Sequence, residues 1–217
     1  MPTRLAPAPG VLYRLGRAPD PLAWPPRAFV GGGRYDHPHG DFLVLYAAEQ
    51  RGGMFLETLD SFRPAIVDLT LAAMGPAGDP TDEMPAAGLI PGAYFRRLIG
   101  RLTVAPNQLW LDLRSAETHQ TLRSELAQTL VTLGYPRRFV WGDLLSHDHR
   151  LTQAVASWAY DRGFHGIAST SCHDSEVDCW ALFDRTEFEA VGSPDPIRRD
   201  DPDLVAVARL FELTISR

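Results

Sequence analysis

The chain has 217 residues, 45% of them hydrophobic and 22% charged, which is enough to bury one sizeable core and too apolar for a disordered chain. Its 21 basic residues against 27 acidic ones give a formal charge of −6, the wrong sign for a general nucleic-acid binder. Every basic residue is arginine, so Schiff-base chemistry, a phosphate-loop lysine and a lysine general base are excluded, and any anion must be held by Arg, His, backbone amides or a metal.

Apolar alternation and short apolar runs predict strands near 11–15, 43–47, 65–69, 108–113, 166–169 and 179–184. Between the first two lies a glycine-rich stretch, GGGRYDHPHG at 31–40. A helix is predicted over 50–61, where Met54, Phe55 and Leu59 share a side, although Gly52 and Gly53 weaken its start. The breaker-rich 74–91 reads as a surface loop or lid. Ser115 reads as the N-cap of a helix whose Leu122, Leu126, Leu130 and Leu133 fall on one face and which Gly134 stops. A second helix is expected from about Asp148, with Leu151, Val155, Trp158 and Ala159 on its buried face and Gly163 as C-cap. The segment 192–203 reads as a linker before a short amphipathic element ending in LFELTIS. If LFELTI is an exposed strand, it offers pairing across a homodimer. No run approaches the roughly 18 apolar residues of a membrane span, and MPTRLAPAPG lacks a signal-peptide core, so a soluble cytoplasmic protein with no membrane partner is expected.

The densest chemical signal is Gly31 to Gly40. Glycines let backbone approach a ligand closely, and Arg34 offers a planar fork of donors for phosphate. It is no dinucleotide fingerprint, because a turn and a strand follow GGGR where GxGxxG would open a helix.

The order of motifs is more specific. Leu12-Tyr13-Arg14 on a strand, Gly33-Arg34-Tyr35-Asp36 in the loop, Leu45-Tyr46 on a strand and Phe55-Leu56-Glu57 on a helix come first. They are followed by Gly166-Ile167-Ala168-Ser169-Thr170-Ser171-Cys172-His173-Asp174 and Trp180-Ala181-Leu182-Phe183-Asp184. This ordered set, spanning 12–184, resembles the RES-domain family, named for its Arg, Glu and Ser. The resemblance implies one domain over 1–217 with an α+β fold, a central mixed sheet flanked by helices and related to the ADP-ribosyltransferase toxins. It also implies an enzyme that consumes NAD by cleaving its nicotinamide glycosidic bond. Some members use phosphate as acceptor and give ADP-ribose 1''-phosphate, others hydrolyse NAD or modify protein, and many are toxins with a neighbouring antitoxin. NAD and phosphate are thus expected as substrates, with no separate cofactor, and an antitoxin as partner. By motif, the family's arginines fall on Arg14 and Arg34, its tyrosine on Tyr46, its carboxylate on Glu57 and its serine on Ser171. Two departures stand out: Asp36 replaces a frequent Asn and is expected to weaken NAD binding, and Ser169 competes with Ser171.

These residue types suit the chemistry. A carboxylate such as Glu57 stabilises an oxocarbenium-like ribose, and two guanidinium groups, Arg14 and Arg34, grip a pyrophosphate or one of its oxygens plus inorganic phosphate. Tyr46, with Tyr35 as a second aromatic, walls the nicotinamide ring, while Ser171 orients phosphate or ribose. Taken singly, each residue has an ordinary reading as surface charge or core.

Three other readings compete. The pairs His37/His39 and His147/His149, with His173, raise a metal-dependent hydrolase, but they read as solvated loop histidines and no metal site is expected. Cys172 and Cys179 read as reduced thiols without a metal-spaced companion, and an esterase lacks its GxSxG elbow. A module that binds NAD or a partner without catalysis is the alternative of another class.

Overall fold

The computed structural model describes residues 3–64, 88–135 and 139–216. Its strands are β1 (Leu12–Arg17), β2 (Val44–Ala48), β3 (Leu89–Ile90), β4 (Arg97–Val104), β5 (Trp110–Asp112), β6 (Gly166–Thr170), β7 (Asp178–Phe183), β8 (Phe188–Ala190), β9 (Asp195–Pro196) and β10 (Thr214–Ile215). Eight of them form a mixed sheet in the order β5-β6-β7-β2-β1-β4-β8, with β9 also on β4. Only the β5–β6 pairing in it is parallel. β3 and β10 pair in parallel as a separate ribbon.

The sheet consists of two blocks. β1 and β4 run together from Leu12↔Leu102 to Arg17↔Arg97, and β2 and β7 from Val44↔Phe183 to Ala48↔Cys179. One register pair, Tyr13↔Ala48, joins the blocks. The backbone beyond that pair needs other partners, and Arg14 supplies one by donating from Nη1 to the Tyr46 carbonyl at 2.9 Å.

Both faces of the sheet are covered. Helices α2 (Ala116–Glu125), α3 (Ala127–Thr132), α4 (Trp141–Leu144) and α5 (Arg150–Asp161) set Leu122, Leu130, Leu144, Leu151 and Val155 against Val44, Ile167 and Phe183. The alternate residues Leu45, Trp180 and Leu182 point into another core with Leu12, Leu102 and Trp110. Against β1 and β4, α1 (Arg51–Leu59) and α6 (Pro202–Leu210) pack Phe55, Leu59, Leu204 and Val207 on Leu15 and Ile99. Each such side chain contributes about 1.5–3 kcal/mol when fully buried. Gly53, which weakens α1 by propensity, is required by packing: a Cβ there would lie 2.6 Å from Val177 Cγ1 and 3.0 Å from the Ala48 Cβ. The close approach carries Glu57, one turn on, up to the sheet.

Five of the expected strands are present, and the expected strand at 65–69 lies outside the described residues. So does the expected loop 74–91, apart from 88–91, where Leu89–Ile90 is a strand. The eight-residue β4 was not expected. Arg97, Gly100 and Arg101 interrupt its apolar alternation, yet it lies inside the sheet with Ile99 and Leu102 buried. Ser115 caps α2 by accepting from the Glu117 amide at 3.2 Å, but the expected single helix breaks at Leu126, where φ is −104° and ψ 18°. The 192–203 segment is more ordered than a linker: it holds β9, and Asp201 caps α6 by accepting from the Asp203 and Leu204 amides. LFELTI is not an exposed strand. Phe211 and Leu213 are buried, and Thr214–Ile215 already pairs with Leu89–Ile90 of the same chain.

Candidate active site

A cavity of about 460 Å³, within the size range of small-ligand sites, opens where the two blocks of the sheet meet. Its wall includes Arg14 and Leu15 of β1, Gly33, Arg34 and Tyr35 of the glycine loop, Tyr46 to Ala48 of β2, Glu57 of α1, and Ser169, Thr170 and Cys179 of β6 and β7. Five of the six sequence-derived candidates, Arg14, Arg34, Tyr35, Tyr46 and Glu57, therefore converge, from four elements.

Ser171 does not line this cavity. Its side chain is buried and accepts from the His173 amide at 3.0 Å, which shapes the β6–β7 turn, whereas Ser169 stands in the wall. A continued strand would put Ser169 and Ser171 on one face, but β6 ends at Thr170, and the turn that follows takes Ser171 out of the strand register.

The two arginines are fixed through backbone carbonyls and, among the described residues, keep donors free. Arg14 donates from Nε to Pro21 O and from Nη1 to Tyr46 O, both at 2.9 Å, leaving Nη2. Arg34 donates from Nη1 to Leu144 O at 2.9 Å and Ser146 O at 2.8 Å, leaving Nε and Nη2. Among the described residues neither forms a salt bridge. Burial lowers the Arg14 pKa to about 10, against the opposing pull of Tyr46, and the side chain stays cationic at neutral pH. Two half-buried cations that have no carboxylate partner among the described residues suit an anion.

Asp36 does not face the arginines as a competing anion. Its Oδ2 accepts from the Gly31 and Gly33 amides at 3.0 and 2.8 Å, and its Oδ1 accepts from the Tyr46 hydroxyl at 2.8 Å. The expectation that it weakens NAD binding assumed a carboxylate beside the arginines; here the carboxylate is buried and bonded to its own loop and to Tyr46. Gly33 has no room for a side chain, because a Cβ would meet the Tyr46 hydroxyl at 2.5 Å and the Asp36 carboxylate at 2.7 Å. From α5, Gln153 donates to the Gly31 and Gly33 carbonyls at 3.0 Å each, and His149 Nδ1 lies 3.1 Å from Gly32 O. Sequence reasoning missed Gln153; its signal is a buried amide on a helix whose buried side is otherwise mostly apolar.

Tyr46 accepts from the Tyr35 amide at 2.9 Å, and burial, then Asp36, pushes its pKa well up, so it remains a neutral donor. Burial likewise pushes Tyr35 up to about 12, with Ser169 pulling the other way. Glu57 is an exposed side chain that nonetheless lines the cavity. Burial, reinforced by Glu57, raises both Cys172 and Cys179, so neither is a ready thiolate nucleophile. His147 and His149 line the cavity, whereas His37 turns its Nδ1 to the His39 and Asp41 amides. Cys172, expected to lack metal-binding company, lies with Glu57 and His173.

The family model described as RES domain matches residues 11–206. The chain belongs to the RES family. Its fold is similar to that of a chain in the crystal structure of the M. tuberculosis MbcT–MbcA toxin–antitoxin complex. The TM-score is 0.52 and the identity 14%, over 96% of this chain and 89% of that one. No curated protein matches the sequence. For this RES chain the likeness is one of fold, a mixed sheet flanked by helices.

Proposed function

We propose that this RES protein cleaves the bond between nicotinamide and ribose of NAD in the cavity, with inorganic phosphate as acceptor. The supporting observation is the convergence of Arg14, Arg34 and Glu57 on one cavity in a member of this family. The free donors of the two guanidinium groups hold the pyrophosphate, or one of its oxygens together with the attacking phosphate. Tyr46, fixed at its hydroxyl by Asp36 and the Tyr35 amide, and Tyr35 provide aromatic wall for the nicotinamide. As the C1''–N bond breaks, its electron pair leaves with nicotinamide, which departs neutral, and positive charge develops on the ribose. Glu57 stabilises that charge while a phosphate oxygen forms the new bond to C1''. Ser169, in the wall where Ser171 is not, orients ribose or phosphate.

An antitoxin that covers the cavity is the proposed partner, by analogy with the toxin–antitoxin complex whose chain shares this fold. Incubation of purified protein with NAD, with and without phosphate, followed by mass analysis, tests the reaction. ADP-ribose 1''-phosphate formed only with phosphate is expected. Free ADP-ribose in both samples would make the protein a glycohydrolase, a labelled protein acceptor would make it a transferase, and intact NAD would overturn the enzymatic reading.

A further inference from the structure

The cavity wall holds a second constellation, which shares Glu57 with the proposed reaction and adds two residues that reaction does not use. Glu57 of α1 and Cys172 and His173 of the β6–β7 turn each present a ligand atom, and these atoms lie within 4.8 Å of one another. Thiol, imidazole and carboxylate are the donor set of zinc, and the two elements that carry them are held together by the close packing of Gly53 on Val177. That bound exceeds the spacing of ligand atoms around a bound zinc by about 1 Å at most, a distance within reach of side-chain rotation at the exposed Glu57 and Cys172. Asp60 adds negative charge, its carboxylate lying 3.7 Å from His173 Nε2. Arg14 and Arg34, in the same wall, and Arg63, which donates to Asp60 Oδ1 at 3.3 Å, oppose a cation, and Glu57, Asp60 and the Cys172 thiolate set three negative charges against them.

We propose that Glu57, Cys172 and His173 form an inhibitory zinc site, closed by water or by Asp60. Binding forms bonds from zinc to the carboxylate oxygen, the imidazole nitrogen and the sulfur, and the thiol proton leaves to solvent. The metal engages the carboxylate assigned to the ribose cation and sets a positive charge where the reaction develops one, so zinc-bound protein is inactive. The inhibitory consequence rests on the proposed NAD reaction; the metal site itself does not.

Titration of the chelator-treated full chain with Co²⁺ tests the site directly, through the near-ultraviolet charge-transfer band of a thiolate–cobalt bond. One equivalent is expected to produce the band, and Zn²⁺ to abolish it by displacement. Cys172→Ser, at an exposed position, is expected to remove the band and to weaken zinc binding by more than the roughly 10–100-fold that loss of an outer-shell partner causes. His173→Gln is expected to weaken zinc comparably, whereas Cys179→Ser keeps the band. Absence of the band, or its loss in Cys179→Ser but not in Cys172→Ser, would overturn the site. If the band behaves as expected but zinc leaves nicotinamide release unchanged, the inhibitory role is overturned while the metal site stands. If the protein consumes no NAD at all, it is the proposed reaction that fails.

Discussion

Single side chains in the wall divide into those that carry charge to a ligand and those that hold the wall in shape. Glu57 belongs to the first group. Glu57→Gln is expected to slow nicotinamide release by about 10²–10³-fold with little change in KM, because an amide keeps the size but not the charge that opposes the ribose cation. Steady-state kinetics against NAD checks this, and a change confined to KM would remove Glu57 from the chemistry. Asp36 belongs to the second group. An asparagine there can take the two glycine amides on its oxygen and, with the direction of the Tyr46 bond reversed, donate to that hydroxyl from its nitrogen. Asp36→Asn is accordingly expected to stay folded and active. Asp36→Ala strands two loop amides and a tyrosine hydroxyl and is expected to lose about 2–4 kcal/mol in chemical denaturation. Equal losses in the two variants would show that the carboxylate charge itself matters.

At the level of elements, α1 reaches the cavity because α6 holds it. Arg51 at the start of α1 donates from Nη1 to Asp201 Oδ1 at 2.9 Å and pairs with Asp203, while Asp201 also caps α6. The Arg51 hydrogen bond holds the Asp201 pKa below the usual carboxylate range. A carboxylate lowered on folding contributes stability above its unfolded pKa and loses it as pH falls through the folded value. The clamp is therefore intact at neutral pH and fails in acid, starting below about pH 4. Asp201→Ala, which removes both cap and ion pair, is expected to destabilise by about 2–4 kcal/mol at neutral pH. The difference from wild type should shrink as pH is lowered below 4, as denaturation midpoints across pH will reveal; a constant difference would assign the loss to the cap alone.

For the molecule as a whole, the central feature is a sheet whose two blocks share one register pair, with a cavity opening at their junction. A ligand that spans the junction binds only the folded state, so ADP-ribose at about 100 times its Kd is expected to add about 2.7 kcal/mol to stability and to raise Tm. Arg34→Ala should abolish most of that shift at the same concentration, whereas the Tm of the unliganded protein falls less. No shift in wild type would mean that the cavity does not take the diphosphate. Among the described residues no helix is long and apolar enough to cross a membrane.

Strands with clean alternation and helices with local stop signals were legible in the sequence, because those patterns depend on near neighbours: β1, β2, β6, β7, α1 and α5 lie where periodicity puts them. The family was legible too, as a resemblance carried by the order of the motifs around Arg14, Arg34, Tyr46 and Glu57 and those at 166–174 and 180–184. Only the tertiary structure decided which serine enters the wall, since β6 ends at Thr170, between the two, and Ser171 is drawn into the turn. It also turned Asp36 from a competitor of the arginines into the anchor of their loop, and brought Cys172 and His173 to Glu57 across more than a hundred residues of chain. β4 stayed hidden for the same reason: its two arginines obscure a local pattern, and what makes it a strand is six pairs with β1, some eighty-five residues away in the chain. Local chemistry names the groups, and the register between distant strands determines which of them meet.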